Sequence, residues 1–180
     1  MDEKWPILGS EIALQHPFVT VDLETVLLPD GRIIPDWPRV HARDYVNAVV
    51  LNDREEALVI TGYKHGLGRS SWQVLGGYLE PGEAPMPAAQ RELLEETGYY
   101  SDEWEHLGSF VVDANRYVGT GHFYLARAAR QVALPDNDDL EQYAIHWVSL
   151  PELRRALHDG RIAILSYAVN VALGLLRLGV

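Results

Sequence analysis

With 180 residues, 47% of them hydrophobic, the chain has material for one globular domain and a short appendage. A formal net charge of −11 argues against a general nucleic-acid or anionic-membrane surface, so a phosphate-bearing ligand would need local cations or metal to offset the repulsion. Without cysteine there is no disulfide framework and no thiolate-held zinc or iron–sulfur site, and the histidines show no metal-binding spacing.

The N-terminal stretch MDEKWPILGSEIALQ has acidic residues where a signal peptide would be basic, and it lacks a sustained apolar core; the expectation is a cytoplasmic protein. Residues 17–35 read as a hairpin, with an alternating strand, a Pro29-Asp30-Gly31 turn and a return strand. This makes residues 1–41 a hairpin appendage and residues 42–180 the main domain with a C-terminal helix. A second hairpin is expected from strands 45–51 and 57–64 around the polar turn Asn52 to Glu56. After Trp72 to Leu75 comes a glycine-rich loop, GGYLEPGE, at 76–83.

A helix is expected from about Met86 to Thr97, with Pro85 and Pro87 suiting its first turn and Gly98 its C-terminal cap. Glu92, Glu95 and Glu96 then project from one face, within an arc of about 100°. Each like-charge pair costs on the order of 0.2–0.5 kcal/mol, and carboxylates at a helix C-terminus oppose the macrodipole. A solvated, salt-bridged face would want basic residues on the same side; Arg91, the sole basic residue of the helix, points about 100° away from Glu92. The crowding therefore suits a hard divalent cation such as Mg²⁺, which takes oxygen ligands.

Further strands are expected at 106–112, 121–129 and 143–150, with an acidic loop, PDNDDLEQ, at 135–142. Ser149 and Glu152 resemble a capping box for a helix from Leu150 to about His158, closed by Gly160. A last helix runs from about Ala163 to Leu178; its apolar run, 162–176, is shorter than the ~20 residues that span a bilayer and contains Asn170. Apolar residues nearly all round this helix suggest packing on two sides, the second against a partner subunit. The pattern as a whole is α/β, a mixed sheet flanked by helices.

Gly77, Glu83, Arg91, Glu92, Leu93, Glu95, Glu96, Gly98 and Tyr99 fill nine specified positions in 23 residues, and this spacing resembles the Nudix box of the Nudix hydrolases. The resemblance implies a Nudix-type α/β/α sandwich that hydrolyses a diphosphate linked to another moiety. It implies Glu92, Glu95 and Glu96 as ligands of Mg²⁺, with Mn²⁺ as a substitute, supported by Glu83. Arg91 would orient a glutamate through a bidentate pair. Gly77 would let a ligand approach closely, and Gly76 is either a turn residue or a further metal ligand through its carbonyl.

The N-terminal hairpin, Tyr63-Lys64-His65 and the C-terminal helix are similar to the branch acting on ADP-ribose and nucleoside diphosphate sugars. That likeness implies a homodimer, aromatic stacking on the base by Phe18 and Trp37, and Lys64 on a phosphate. Glu141, with Asp139 second, is the candidate general base, against the alternative of a solvated acidic loop. His65 and His122 are further phosphate candidates, or structural histidines. Leu75-Gly76-Gly77 departs from the Pro-Ala-Gly common in that branch, and no counterpart is found to its downstream proline, which leaves the substrate open. The expected reaction releases a nucleoside monophosphate and a sugar phosphate; the alternatives are a nucleoside triphosphate pyrophosphohydrolase and a non-catalytic nucleotide sensor.

Overall fold

The computed structural model describes residues 4–135 and 143–180. In chain order these form β1 (Ile7–His16), β2 (Val19–Leu27), β3 (Ile33–Ala42), β4 (Tyr45–Val50), β5 (Ala57–Lys64), a 3₁₀ turn at His65–Leu67, β6 (Arg69–Gln73) and β7 (Leu75–Tyr78). There follow α1 (Pro85–Thr97), β8 (Tyr99–Tyr100), β9 (Glu103–Asp113), β10 (Tyr117–Arg127), β11 (Arg130–Gln131), β12 (Tyr143–Val148), α2 (Leu150–Ala156) and α3 (Leu165–Leu178). They divide into two units, Met1–Asp44 with Phe110–Thr120, and Tyr45–Ser109 with Gly121–Val180.

In the first unit β1, β2 and β3 make an antiparallel meander, with Ile12 opposite Asp22 and Leu23 opposite Pro38. The expected hairpin is thus three strands. β1 escapes sequence reading because every residue in it is exposed, so no buried face imposes an alternation. β3 runs on past Pro35 to Ala42, although proline cannot donate to a ladder. The Pro29-Asp30-Gly31 turn is as expected: Gly31 has φ +86°, its amide donates to Leu28 O at 3.0 Å, and Asp30 accepts from the Arg32 amide at 3.1 Å.

The second unit is a sandwich whose layering is set by the two-residue period of β4. Val46, Ala48 and Val50 join Leu58, Ile60, Leu75 and Tyr124 in a core closed by Ala88, Ala89 and Leu93 of α1. Val49 and Leu51 face the other way, into a core with Val59, Leu125, Leu153 of α2, and Val171 and Leu175 of α3. β4 pairs in parallel with β10 and antiparallel with β7, while β5 lies between β12 and β6 in a separate antiparallel sheet. The expected hairpin of 45–51 with 57–64 is therefore corrected: those strands share one bridge, Leu51 with Ala57, and diverge into different sheets. Both are buried on two faces, so each finds partners beyond its sequence neighbour.

Gly76 and Gly77 lie in β7 rather than in a loop. Ser149 caps α2 by accepting from the Glu152 amide at 3.4 Å, but the Glu152 carboxylate pairs with Arg161 instead of closing a box. α3 buries the face of Asn170, Val171, Gly174 and Leu175 and exposes Leu165 and Leu176, so within this chain it packs on one side. Among the described residues no helix is long and apolar enough to cross a membrane.

Neighbouring leucines of α1 test this layering. Leu93 is 1% exposed and Leu94 40%. Leu93→Ala should cost about 2–5 kcal/mol in urea unfolding, whereas Leu94→Ala should cost less than about 1 kcal/mol.

Candidate active site

α1 carries the carboxylates, and its ends are defined by backbone chemistry. Pro85 takes the first helical position, where a missing N–H costs nothing, and Gly98 adopts φ +71° so that its amide donates to Leu94 O at 2.8 Å. The loop before the helix is tied by Glu83, which accepts from the Glu80 amide at 2.9 Å.

Arg91 organises the face. Its Nε and Nη2 donate to the two oxygens of Glu83, each at 2.9 Å, in a bidentate pair. Nη1 donates to Glu92 and to Glu95, again at 2.9 Å, and Nη2 also reaches Tyr78 O at 3.2 Å. The expectation that Arg91 points away from the acidic face is corrected. Cα direction separates residues 91 and 92 by one helical step, but the long side chain folds back, and Glu95 is an i,i+4 partner.

Each carboxyl reads this environment differently. Arg91 and the Glu80 amide hold Glu83 down to about 2. Burial pushes Glu92 upward, against the pull of Arg91. The Glu92 side chain is 13% exposed and that of Glu95 52%, so the cluster grades from a half-desolvated carboxyl to a solvated one. Among the described residues no three His, Asp or Glu side chains stand as a ready-made metal cage, and the guanidinium lies among Glu83, Glu92 and Glu95.

The glycines of β7 make room for this cluster. A β-carbon on Gly77 would lie 2.0 Å from Glu92 Cδ, and one on Gly76 would lie 2.0 Å from Asn47 Nδ2. Lys64, Gly76 and Glu96 meet around a small, partly open polar cavity of about 20 Å³, with Ile60, Gln73, Val74 and Tyr143 completing its wall. That is room for one water. Tyr143 donates its hydroxyl to Glu96 O at 2.7 Å and so fastens the last turn of α1. All-oxygen donors on a helix face beside a side-chain-free strand fit a hard divalent cation.

Of the remaining expected residues, Glu141 and Asp139 lie outside the described residues. Phe18 and Trp37 belong to the first unit. Phe18 is 63% exposed with the Arg43 guanidinium 5.7 Å from its ring centre. Trp37 is half-buried, edge-on to Trp5 at 5.9 Å, and its indole donates to Asn115 O at 2.8 Å. His122 accepts or donates to Ser109 at 2.8 Å, and His65 opens the exposed 3₁₀ turn. Asn47, Gln73, Tyr143 and Tyr167 were not expected. The asparagine inside the apolar run YVNAVVL was the one readable signal.

Comparison with known proteins bears on the family and the fold. The model described as the NUDIX domain matches residues 41–167, and the model described as the nucleoside diphosphate sugar hydrolase N-terminal domain matches residues 5–40. The chain is 28% identical to a CMP-5'-(N-acetyl-N-hydroxy-3-aminopropyl)phosphonate hydrolase of Streptomyces rubellomurinus, over 98% of this chain and 84% of that one. It is also 28% identical to an ADP-ribose pyrophosphatase of Mycobacterium tuberculosis, over 82% of this chain and 78% of that one. The crystal structure of an ADP compounds hydrolase superposes with a TM-score of 0.87 over 98% of this chain and 95% of that one, a likeness of fold at 21% identity.

Opposite shifts at Glu83 and Glu92 give opposite pH behaviour. A depressed carboxyl contributes stability that is complete above the ordinary value of 4.5 and is lost as pH falls toward about 2. Glu83→Gln should therefore flatten the acid limb of Tm against pH in that window. A raised carboxyl costs stability once ionised, and the cost vanishes as pH falls to 4.5. In EDTA, Glu92→Gln should match or exceed wild-type Tm at pH 7 and lose that advantage near pH 4.5; a lower Tm at pH 7 would mean that the Arg91 contacts outweigh the burial.

Proposed function

The chain belongs to the Nudix hydrolases, and from that premise we propose that it cleaves the diphosphate of ADP-ribose or a related nucleoside diphosphate sugar, giving a nucleoside monophosphate and a sugar phosphate. The observation that carries the substrate class is the match of residues 5–40 to the nucleoside diphosphate sugar hydrolase N-terminal domain. A putative 8-oxo-dGTP diphosphatase of Bacillus subtilis aligns with 62% of this chain, against 82% and 98% for the two relatives above. Their names carry ADP and CMP respectively, so a nucleotide with a tail is the common element and the base differs.

Glu92, Glu95, Glu96 and the Gly76 carbonyl would hold Mg²⁺ or Mn²⁺, which when bound supplies phosphate-charge neutralisation and an acidified water. The rest is the work of this chain. Arg91 gathers Glu83, Glu92 and Glu95 in one constellation, and would release Glu92 and Glu95 where their oxygens take the cation. Lys64, on the cavity wall beside Glu96, offers a point charge to a substrate phosphate. Gly77 leaves the space that the Glu92 carboxyl occupies against the strand. Exposed Phe18 is a stacking surface for a base, whereas the ring of Trp37 is engaged by Trp5 and Asn115 and serves its own unit first. Glu141 remains the proposed base, in a homodimeric enzyme divided near residue 41.

The test is phosphate release through a coupled phosphatase from ADP-ribose, ADP- and CDP-linked sugars, dinucleoside polyphosphates, coenzyme A and nucleoside triphosphates, each with Mg²⁺, Mn²⁺ and EDTA. Metal-dependent turnover should favour the nucleotide sugars. Turnover of triphosphates alone would overturn the substrate class, and no turnover of any compound would favour a binding role. Glu96→Gln should lower kcat by roughly 10²-fold or more with the Tm preserved.

A further inference from the structure

Two successive residues of β7 lack side chains, and each vacancy is filled by a side chain from elsewhere in the same unit. Adjacent residues on a strand face opposite ways. Toward α3, the amide of Asn47 takes the Gly76 position, with the Tyr167 ring 3.1 Å from the same point. Toward α1, the carboxyl of Glu92 takes the Gly77 position. The register agrees, since Asn47 pairs with Gly76 and Val46 with Gly77 across the β4–β7 ladder.

Asn47 is 2% exposed in a strand otherwise lined by aliphatic residues. Its Nδ2 donates to Leu75 O at 3.3 Å, at the start of β7. Its Oδ1 is buried and accepts no hydrogen bond among the described residues. A valine or leucine would meet the packing need without an unsatisfied acceptor, so hydrophobic packing does not account for asparagine here. What an amide adds is a tether on the Leu75 carbonyl from a group that also walls Gly76.

We propose that Asn47 is a positioning residue for the active site: through β7 it sets the place of the Glu92 carboxylate and of the Gly76 carbonyl. If the strand moved toward α1, its Gly77 backbone would press on Glu92; if it moved toward α3, Glu92 would lose the surface it rests on. This inference rests on the reading of Glu92 as a metal ligand.

A size swap across the ladder tests it. Wild type, Gly76→Ala, Asn47→Ala and the double variant are compared for Mn²⁺ binding by equilibrium dialysis, for kcat and KM, and for urea midpoint. Asn47→Ala should weaken Mn²⁺ binding and kcat by roughly 10–100-fold with KM little changed. Gly76→Ala should do at least as much harm, and adding Asn47→Ala to it should restore Mn²⁺ binding and kcat at least about tenfold, since the new β-carbon then occupies the freed space. A double variant that recovers its urea midpoint but neither Mn²⁺ binding nor kcat would make the pair merely structural and overturn the proposal, as would Asn47→Ala with wild-type Mn²⁺ binding and kcat. If Gly76→Ala does not fold, Asn47→Leu decides: it nearly keeps the volume and removes the donated bond, and wild-type Mn²⁺ affinity in that variant overturns the proposal. A wild type that binds no Mn²⁺ would sink the metal reading and this proposal together, whereas the other failures leave that reading standing.

Discussion

Glu83, Glu92 and Glu95 all depend on a single guanidinium. Arg91 spends its donors on Glu83, Glu92, Glu95 and the Tyr78 carbonyl, joining the loop before the helix, the helix itself and the end of β7. Lysine could not do this, because a point charge with three rotatable donors has no planar fork to engage one carboxylate bidentately while reaching two others. The helix then tolerates carboxylates in its last turns, where the macrodipole disfavours them.

Around that contact the sandwich supplies two kinds of rigidity. β4 is buried on both faces, so its alternation fixes α1 on one side and α2 and α3 on the other. β7 stands at the edge of the same ladder, and its two glycines let one helix carboxyl and one strand amide come within contact distance of its backbone. Tyr143 holds the end of α1 from the second sheet of the unit, so the acidic face is braced at both its ends and along its side.

How far the sequence reveals this depends on how local each interaction is. The helix with its proline start and glycine stop, the nine-position box and the Pro29-Asp30-Gly31 turn are specified by residues a few positions apart, and they were legible. The separation of β4 from β5 was not, because two continuous apolar strands joined by a polar turn have the same pattern whether they pair with each other or with distant partners. β1 was invisible for the opposite reason, having no buried face to impose a pattern. Arg91 was misread by treating a side chain as a direction rather than a reach, although Glu95 stood four residues on. Asn47 and Tyr143 act through neighbours 28 and 47 residues away in sequence, and only the fold brings them there.

The chemistry of the guanidinium also gives the site a direction of fragility. Hydrogen bonds that Arg91 donates to three carboxylates hold its proton more tightly than usual, so alkali has no means of discharging the cation at the centre of the cluster. Acid does, from the other side: each glutamate that gains a proton becomes a weaker acceptor. The constellation is accordingly built to tolerate basic conditions and to come apart in acidic ones, beginning at Glu92, where burial favours the proton, and holding longest at Glu83.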